Sequence, residues 1–169
     1  IGYFIISSLF FLPSLDVVNV RYLLLGLILV FFMGVRDDLI GLSPNNKLII
    51  QLLASVIVVG LGKFSIVSFY GLLDGFFFPD WLMFSFTIAI LIVLTNSFNL
   101  IDGVNGLAGS LGFMISVLLG LYFYLIHQLQ FAVLCSAMAG GVLGFLRYNW
   151  KVGRIFMGDT GSMLLGFFL

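Results

Sequence analysis

Long apolar runs, each closed by a short polar break, leave this chain very few folds. They fall at about residues 1–12, 21–36, 47–62, 81–98, 106–126, 131–146 and 155–169. An α-helix needs about 20 predominantly apolar residues to cross a bilayer, and inside the hydrocarbon its backbone must satisfy its own hydrogen bonds. Runs slightly shorter than that reach across with flanking turns and snorkelling ends. The pattern therefore predicts an all-α fold: a polytopic transmembrane helical bundle with about five full spans, and partial spans at 1–12 and 155–169. A single integral membrane domain is expected over residues 1–169, as an internal fragment of a larger protein. Composition agrees, because only 8% of residues are charged, whereas a water-soluble surface needs about a quarter.

The polar breaks alternate between the two membrane faces. Pro13–Val20, Gly62–Asp80 and His127–Gln130 fall on one side; Arg36–Asn46, Asn96–Asn105 and Arg147–Arg154 fall on the other. The second side has Arg36, Lys47, Arg147, Lys151 and Arg154, against Arg21 and Lys63 on the first. The positive-inside rule makes the second face cytoplasmic and predicts a multi-pass protein of the plasma membrane or bacterial inner membrane. A formal net charge of zero and the absence of any basic tract argue against nucleic acid as a partner. The single cysteine, Cys135, lies inside an apolar run and is expected to pack rather than react. Gly140 and Gly144 have small-residue spacing; it favours close helix packing within the chain and leaves a homodimer as the alternative.

Three polar clusters share the predicted cytoplasmic face: "RDDLIGLSPNNK" (36–47), "NSFNLIDGVNG" (96–106) and "RYNWKVGRIFMGDTGS" (147–162). They contain four of the seven Asp, namely Asp37, Asp38, Asp102 and Asp159. Adjacent carboxylates at Asp37 and Asp38 repel and need a cation or water, and Lys47 opens the next apolar run. Asn96, Asn99, Asp102 and Asn105 recur every third residue, which in a helical turn lines their oxygens along one stripe. Ordinary turn chemistry also accounts for Asp-Gly and Asn-Gly pairs. In "GDTGS" (158–162), Asp159 stands at the start of a helix, where backbone amides and the helix dipole favour anions. Carboxylates with amides suit a hard ion such as Mg²⁺ completed by substrate phosphates. The layout best fits a reaction between a soluble phosphate compound and a membrane lipid phosphate. A transporter would carry its ionisable groups nearer the membrane midplane.

In this order and on one face, "DDLIGLSPNNK", "NSFNLIDGVNGLAG" and "GRIFMGDTGS" resemble the polyprenyl-phosphate N-acetylhexosamine-1-phosphate transferases. Those enzymes move a sugar 1-phosphate from a UDP-sugar onto a polyprenyl phosphate lipid and release UMP. The resemblance runs from about Gly34 onward and is strongest to the bacterial undecaprenyl-phosphate GlcNAc-1-phosphate transferases that start O-antigen, teichoic acid or capsule synthesis. The short loop after Asp38 separates the chain from the phospho-MurNAc-pentapeptide transferases, the alternative within the family. The resemblance implies Asp159 as the main Mg²⁺ ligand helped by Asn99, with Mn²⁺ an alternative ion. It further implies Lys47 on the pyrophosphate, Asn105 near the uridine, and Asp37 and Asp38 positioning the lipid phosphate or metal. Asn96 and Asp102 belong to the same substrate-binding stripe. Many bacterial members carry Asp where this chain has Asn105.

Overall fold

A computed structural model describes residues 17–67, 78–150 and 155–169. Its elements are helical throughout: α1 (Val17–Ile40), α2 (Pro44–Val56), α3 (Asp80–Ile101), α4 (Leu107–Leu125), α5 (Leu129–Asn149) and α6 (Gly158–Phe168). A widened helical turn, Ile57–Leu61, prolongs α2. Pro44–Leu61, α3, α4 and α5 are each long and apolar enough to cross a membrane, and α1, where the fifth full span is expected, is 24 residues long. The expected partial span at 155–169 becomes α6; that at 1–12 lies outside the described residues.

Helix α6 occupies the middle of the bundle although it is the shortest helix described, at 11 residues. One of its faces puts Met163 and Phe167 among Leu27, Val30 and Met33 of α1 and Ala54 and Val58 of the α2 segment. The other puts Leu165 against Phe98 of α3 and Val142 and Leu146 of α5. Two glycines set these approaches. A Cβ at Gly34 of α1 would overlap Thr160 Cα, and one at Gly166 of α6 would stand 2.7 Å from the Leu94 carbonyl oxygen of α3. Alanine at either position would force apart two helix backbones, as expected where small residues permit contact in the absence of a water-driven hydrophobic effect.

Two expectations need correction. The polar breaks expected to close the spans at 36–46 and 96–105 are largely helix ends: Asp37 and Asp38 lie in the last turn of α1, Lys47 in the first turn of α2, and Asn96 and Asn99 in α3. A helix continued past the apolar run still satisfies its backbone, so hydrophobicity alone marks its end too early. Nor do Gly140 and Gly144 mediate packing within the described chain, since a Cβ built at either meets nothing within 4 Å. Cys135 is buried, as expected.

Candidate functional site

The local turn after α1 creates the first part of the site. The α1 helix ends at Ile40, the Gly41 amide donates to the Asp37 carbonyl at 2.8 Å, and the Leu42 amide donates to Asp37 Oδ1 at 2.6 Å. After the three intervening residues 41–43, Pro44 begins α2, because its fixed φ and missing N–H suit a first helical position. This tight reversal brings Lys47 back over the end of α1, where Lys47 Nζ forms an ion pair with Asp37 Oδ2. The Asp37 side chain is only 6% exposed, so its charge depends on that partner.

The same ammonium donates to Asp159 Oδ2 at 2.7 Å, and Asn99 Nδ2 donates to Asp159 Oδ1 at 2.6 Å. Both oxygens of the α6 carboxylate are thus held, one by α2 and one by α3. Asn99 Nδ2 also donates to Ser162 Oγ at 3.0 Å, and the Ser162 hydroxyl donates to the Gly158 carbonyl at 2.7 Å. Asp159 does not cap its own helix. That work is done by carboxylates from two other helices.

Asp38, on α1, accepts from the Asp159 amide at 2.8 Å, from the Thr160 amide at 3.0 Å and from the Thr160 hydroxyl. Asp102, at the end of α3, accepts from the backbone amides of Met157 and Gly158. Four successive donors that a helix N-terminus leaves unpaired are therefore taken by two anions, which the helix dipole also favours. Burial pushes the Asp102 carboxyl above its ordinary range, and the charges of Asp159 and Asp38 add to the rise, while its amide bonds oppose it. Gly158 fits this crowding: its φ is +67°, and a Cβ there would lie 2.9 Å from Asp38 Oδ2. The anion-favouring start of α6 expected from "GDTGS" is real, but the anions are the protein's own.

Asp37, Asp38, Lys47, Asn99, Asp102 and Asp159 are therefore brought together, and two predicted residues stand apart. Asn96 lies a turn deeper, where its Nδ2 donates to Gln51 Oε1 at 2.7 Å and to the Ile92 carbonyl at 2.7 Å. Asn105 is exposed in the turn after α3, because the helix ends at Ile101 and the expected stripe of four carries only as far as Asp102. Lys151 and Arg154 lie outside the described residues. Sequence reasoning missed Gln51, Thr160, Ser162 and Asn149. Buried Asn149 accepts from the Gly106 amide at 2.6 Å and donates to the Ile155 carbonyl at 2.8 Å, tying the α3–α4 turn to the approach to α6.

Four carboxylates converge, and Lys47 forms ion pairs with two of them, Asp37 and Asp159. No group of three His, Cys, Asp or Glu is arranged to hold a metal alone among the described residues. The donors do suit Mg²⁺, which commonly takes one or two carboxylates and fills its remaining positions with water and substrate phosphate. Asp159 is a carboxylate that could serve in this way; Asn99, which here presents its NH₂ to Asp159, would have to turn its amide to offer an oxygen.

Asp38→Asn tests the inter-helix cap. An amide retains one acceptor oxygen, so one of the α6 amides loses its partner at a cost of about 1 kcal/mol. The expected result is a melting temperature lower by about 2–8 °C in detergent, with the Mg²⁺ titration midpoint unchanged. An unchanged melting temperature would show that Asp38 does not anchor α6.

Residues 20–169 match the family described as "Glycosyl transferase family 4". Among curated proteins the chain is similar to phospho-N-acetylmuramoyl-pentapeptide-transferases. It is 34% identical to that of Clostridium perfringens (strain 13 / Type A) over 150 residues, covering 80% of this chain and 46% of that protein. It is 36% identical to that of Streptococcus pneumoniae serotype 2 (strain D39 / NCTC 7466) over 161 residues, covering 88% and 48%. The match to the Campylobacter jejuni subsp. jejuni serotype O:2 (strain ATCC 700819 / NCTC 11168) protein is 32% over 196 residues, covering 98% and 55%. The chain spans about half the length of these curated relatives. Its three polar motifs meet at one end of a helical bundle, and the family match takes in all of them: the chain belongs to glycosyl transferase family 4.

Proposed function

We propose that the intact protein transfers a sugar 1-phosphate from a UDP-sugar to a polyprenyl phosphate at the cytoplasmic face of the bacterial inner or plasma membrane. The observation that carries this reading is the Lys47–Asp159–Asn99 constellation, with Asp37 on the same ammonium, at the end of the bundle that the charge pattern of the sequence predicts to be cytoplasmic. The relatives favour phospho-MurNAc-pentapeptide as the transferred group over GlcNAc 1-phosphate. The short loop after Asp38, which suggested GlcNAc, has a local explanation: its length is what the Asp37–Leu42 closure and the Pro44 helix start require.

In the proposed reaction an oxygen of the lipid phosphate attacks the β-phosphorus of the UDP-sugar. A new P–O bond forms, the bond to the bridging oxygen breaks, and UMP leaves with the electron pair. A phosphate monoester has a second pKa of about 6, so the attacking group is largely dianionic at neutral pH and needs little help from a base. Asp38 is committed to α6, which suits a positioning role. Lys47 is placed to neutralise charge on the transferring phosphoryl group, the larger contribution in such reactions. Mg²⁺ held by Asp159 and Asn99 would supply further charge neutralisation and alignment of phosphate oxygens.

Membranes containing the intact protein should exchange labelled UMP into UDP-MurNAc-pentapeptide, and EDTA should abolish the exchange. Exchange into UDP-GlcNAc alone would restore GlcNAc 1-phosphate as the transferred group. Metal-independent solute flux without exchange would replace the transferase with a transporter.

A further inference from the structure

One helical turn below the proposed site lies a second layer, in which Asn96 of the second motif meets two residues outside all three motifs. Gln51 is four residues after Lys47 on α2, Asn96 three before Asn99 on α3, and Met163 four after Asp159 on α6. These spacings place each residue on the same helix face as the residue above it. Gln51 touches both of the others: Asn96 Nδ2 donates to Gln51 Oε1 at 2.7 Å, while Gln51 Nε2 lies 3.5 Å from Asn96 Oδ1 and 3.9 Å from Met163 Sδ. Gln51 is completely buried, at 0% exposure, within the span Pro44–Leu61.

A buried amide in a membrane helix is costly unless it is paired, and leucine would fill the same space without that cost. What leucine cannot do is fix an axial position, because apolar contacts slide and rotate with little penalty. An amide pair with a short bond on one side holds two helices in one register, the best-attested use of buried polar groups. Gln51 and Asn96 are also the only residues of this layer that can hydrogen-bond directly between α2 and α3, the helices that supply the two donors to Asp159.

We propose that Gln51 and Asn96 form a positioning clamp that sets the rotation and height of α2 relative to α3, so that Lys47 and Asn99 reach opposite oxygens of Asp159. Gln51 touches no reacting group and acts through Lys47. The kinetic consequences rest on the transferase reading given above; the geometric ones do not.

The test uses the intact membrane protein with Gln51→Leu, Asn96→Leu, the double Leu variant, and the swap Gln51→Asn with Asn96→Gln. Each single Leu variant should lose about 10–100-fold in kcat, with KM for the UDP-sugar changed less than about threefold, since a small misplacement of catalytic groups costs this much. The double variant should lose no more than either single one, because the clamp is already broken. The swap, which keeps the combined length of the two side chains, should recover most of the loss. Spin labels at Leu48 and Leu100, both exposed, read the α2–α3 spacing without any turnover. Their distance distribution should shift or broaden in both Leu variants and return in the swap. Parent-like kcat together with an unchanged distribution, or additive losses in the double variant, would overturn the clamp. If the parent protein transfers no sugar phosphate but the label distances respond as described, the transferase reading fails and the clamp stands.

Discussion

The Asp159→Asn variant of the intact protein is expected to lose kcat by about 100- to 1000-fold and to require more Mg²⁺ for half-maximal activity. The reasoning starts from the two bonds the carboxylate accepts, from Lys47 Nζ at 2.7 Å and Asn99 Nδ2 at 2.6 Å. An asparagine has nearly the same shape, but one of its two terminal atoms is an NH₂ donor. With its oxygen toward the ammonium, its NH₂ points at Asn99 Nδ2, so the second bond survives only if the Asn99 amide flips and gives up its bond to Ser162. The charge that would bind the metal is lost as well. A helix-capping role predicts a nearly silent change instead, because Asn caps as well as Asp; the amide bonds that Asp38 makes to α6 already leave Asp159 free of that task. Near-normal turnover with an unchanged Mg²⁺ titration would remove Asp159 from the metal site.

Lys47→Met should be comparably severe, and it should also weaken the fold. It leaves Asp37, with 6% of its side chain exposed, and Asp159, with 28%, without their shared cation. Removing one partner of a fully buried pair costs about 3–5 kcal/mol. Partial exposure screens these charges, so a loss of about 1–3 kcal/mol is expected. Turnover should fall by about 1000-fold, because the charge facing the transferring phosphoryl group disappears. Adding Asp37→Asn to Lys47→Met separates the two effects: the melting temperature should recover in part while kcat stays low. Recovery of both would mean that Lys47 serves the fold alone, and normal turnover in Lys47→Met would exclude it from the chemistry.

How much of this was legible in the sequence depended on the range of the interaction. Spans were legible because apolar length is a local property, and four of the five expected full spans reappear as α2 to α5 with ends moved by a few residues. Motifs were legible too, since Asp, Asn and Lys stand out against an apolar background. Partnership was not. Asp38 reads as half of a repelling pair beside Asp37, yet its partners are amides 121 and 122 residues away. Gln51 lies in the apolar run "LIIQLLASV", and nothing local shows that Asn96, 45 residues on, completes it. Asn105 failed in the opposite way: its three-residue spacing promised a fourth member of the stripe, but α3 ends at Ile101. The glycines of "GGVLG" resembled a packing motif, and the described chain leaves them uncovered.

The central position of α6 also sets an order of assembly. A ribosome delivers α1 and α2 well before α6, and their ion pair joins residues only ten apart, Asp37 and Lys47, so it can close as soon as the hairpin exists. Lys47 must then wait for a carboxylate 112 residues further along the chain. Over that interval the slot between α1 and α3 has no helix in it, and Asp38 and Asp102 have no amides to hold. Contacts so distant along the chain form late, after the cost of closing the long intervening loop has been met. The arrival of α6 therefore completes the hydrophobic centre and the charged cluster in one event, which makes a folded bundle with a half-built site hard to populate.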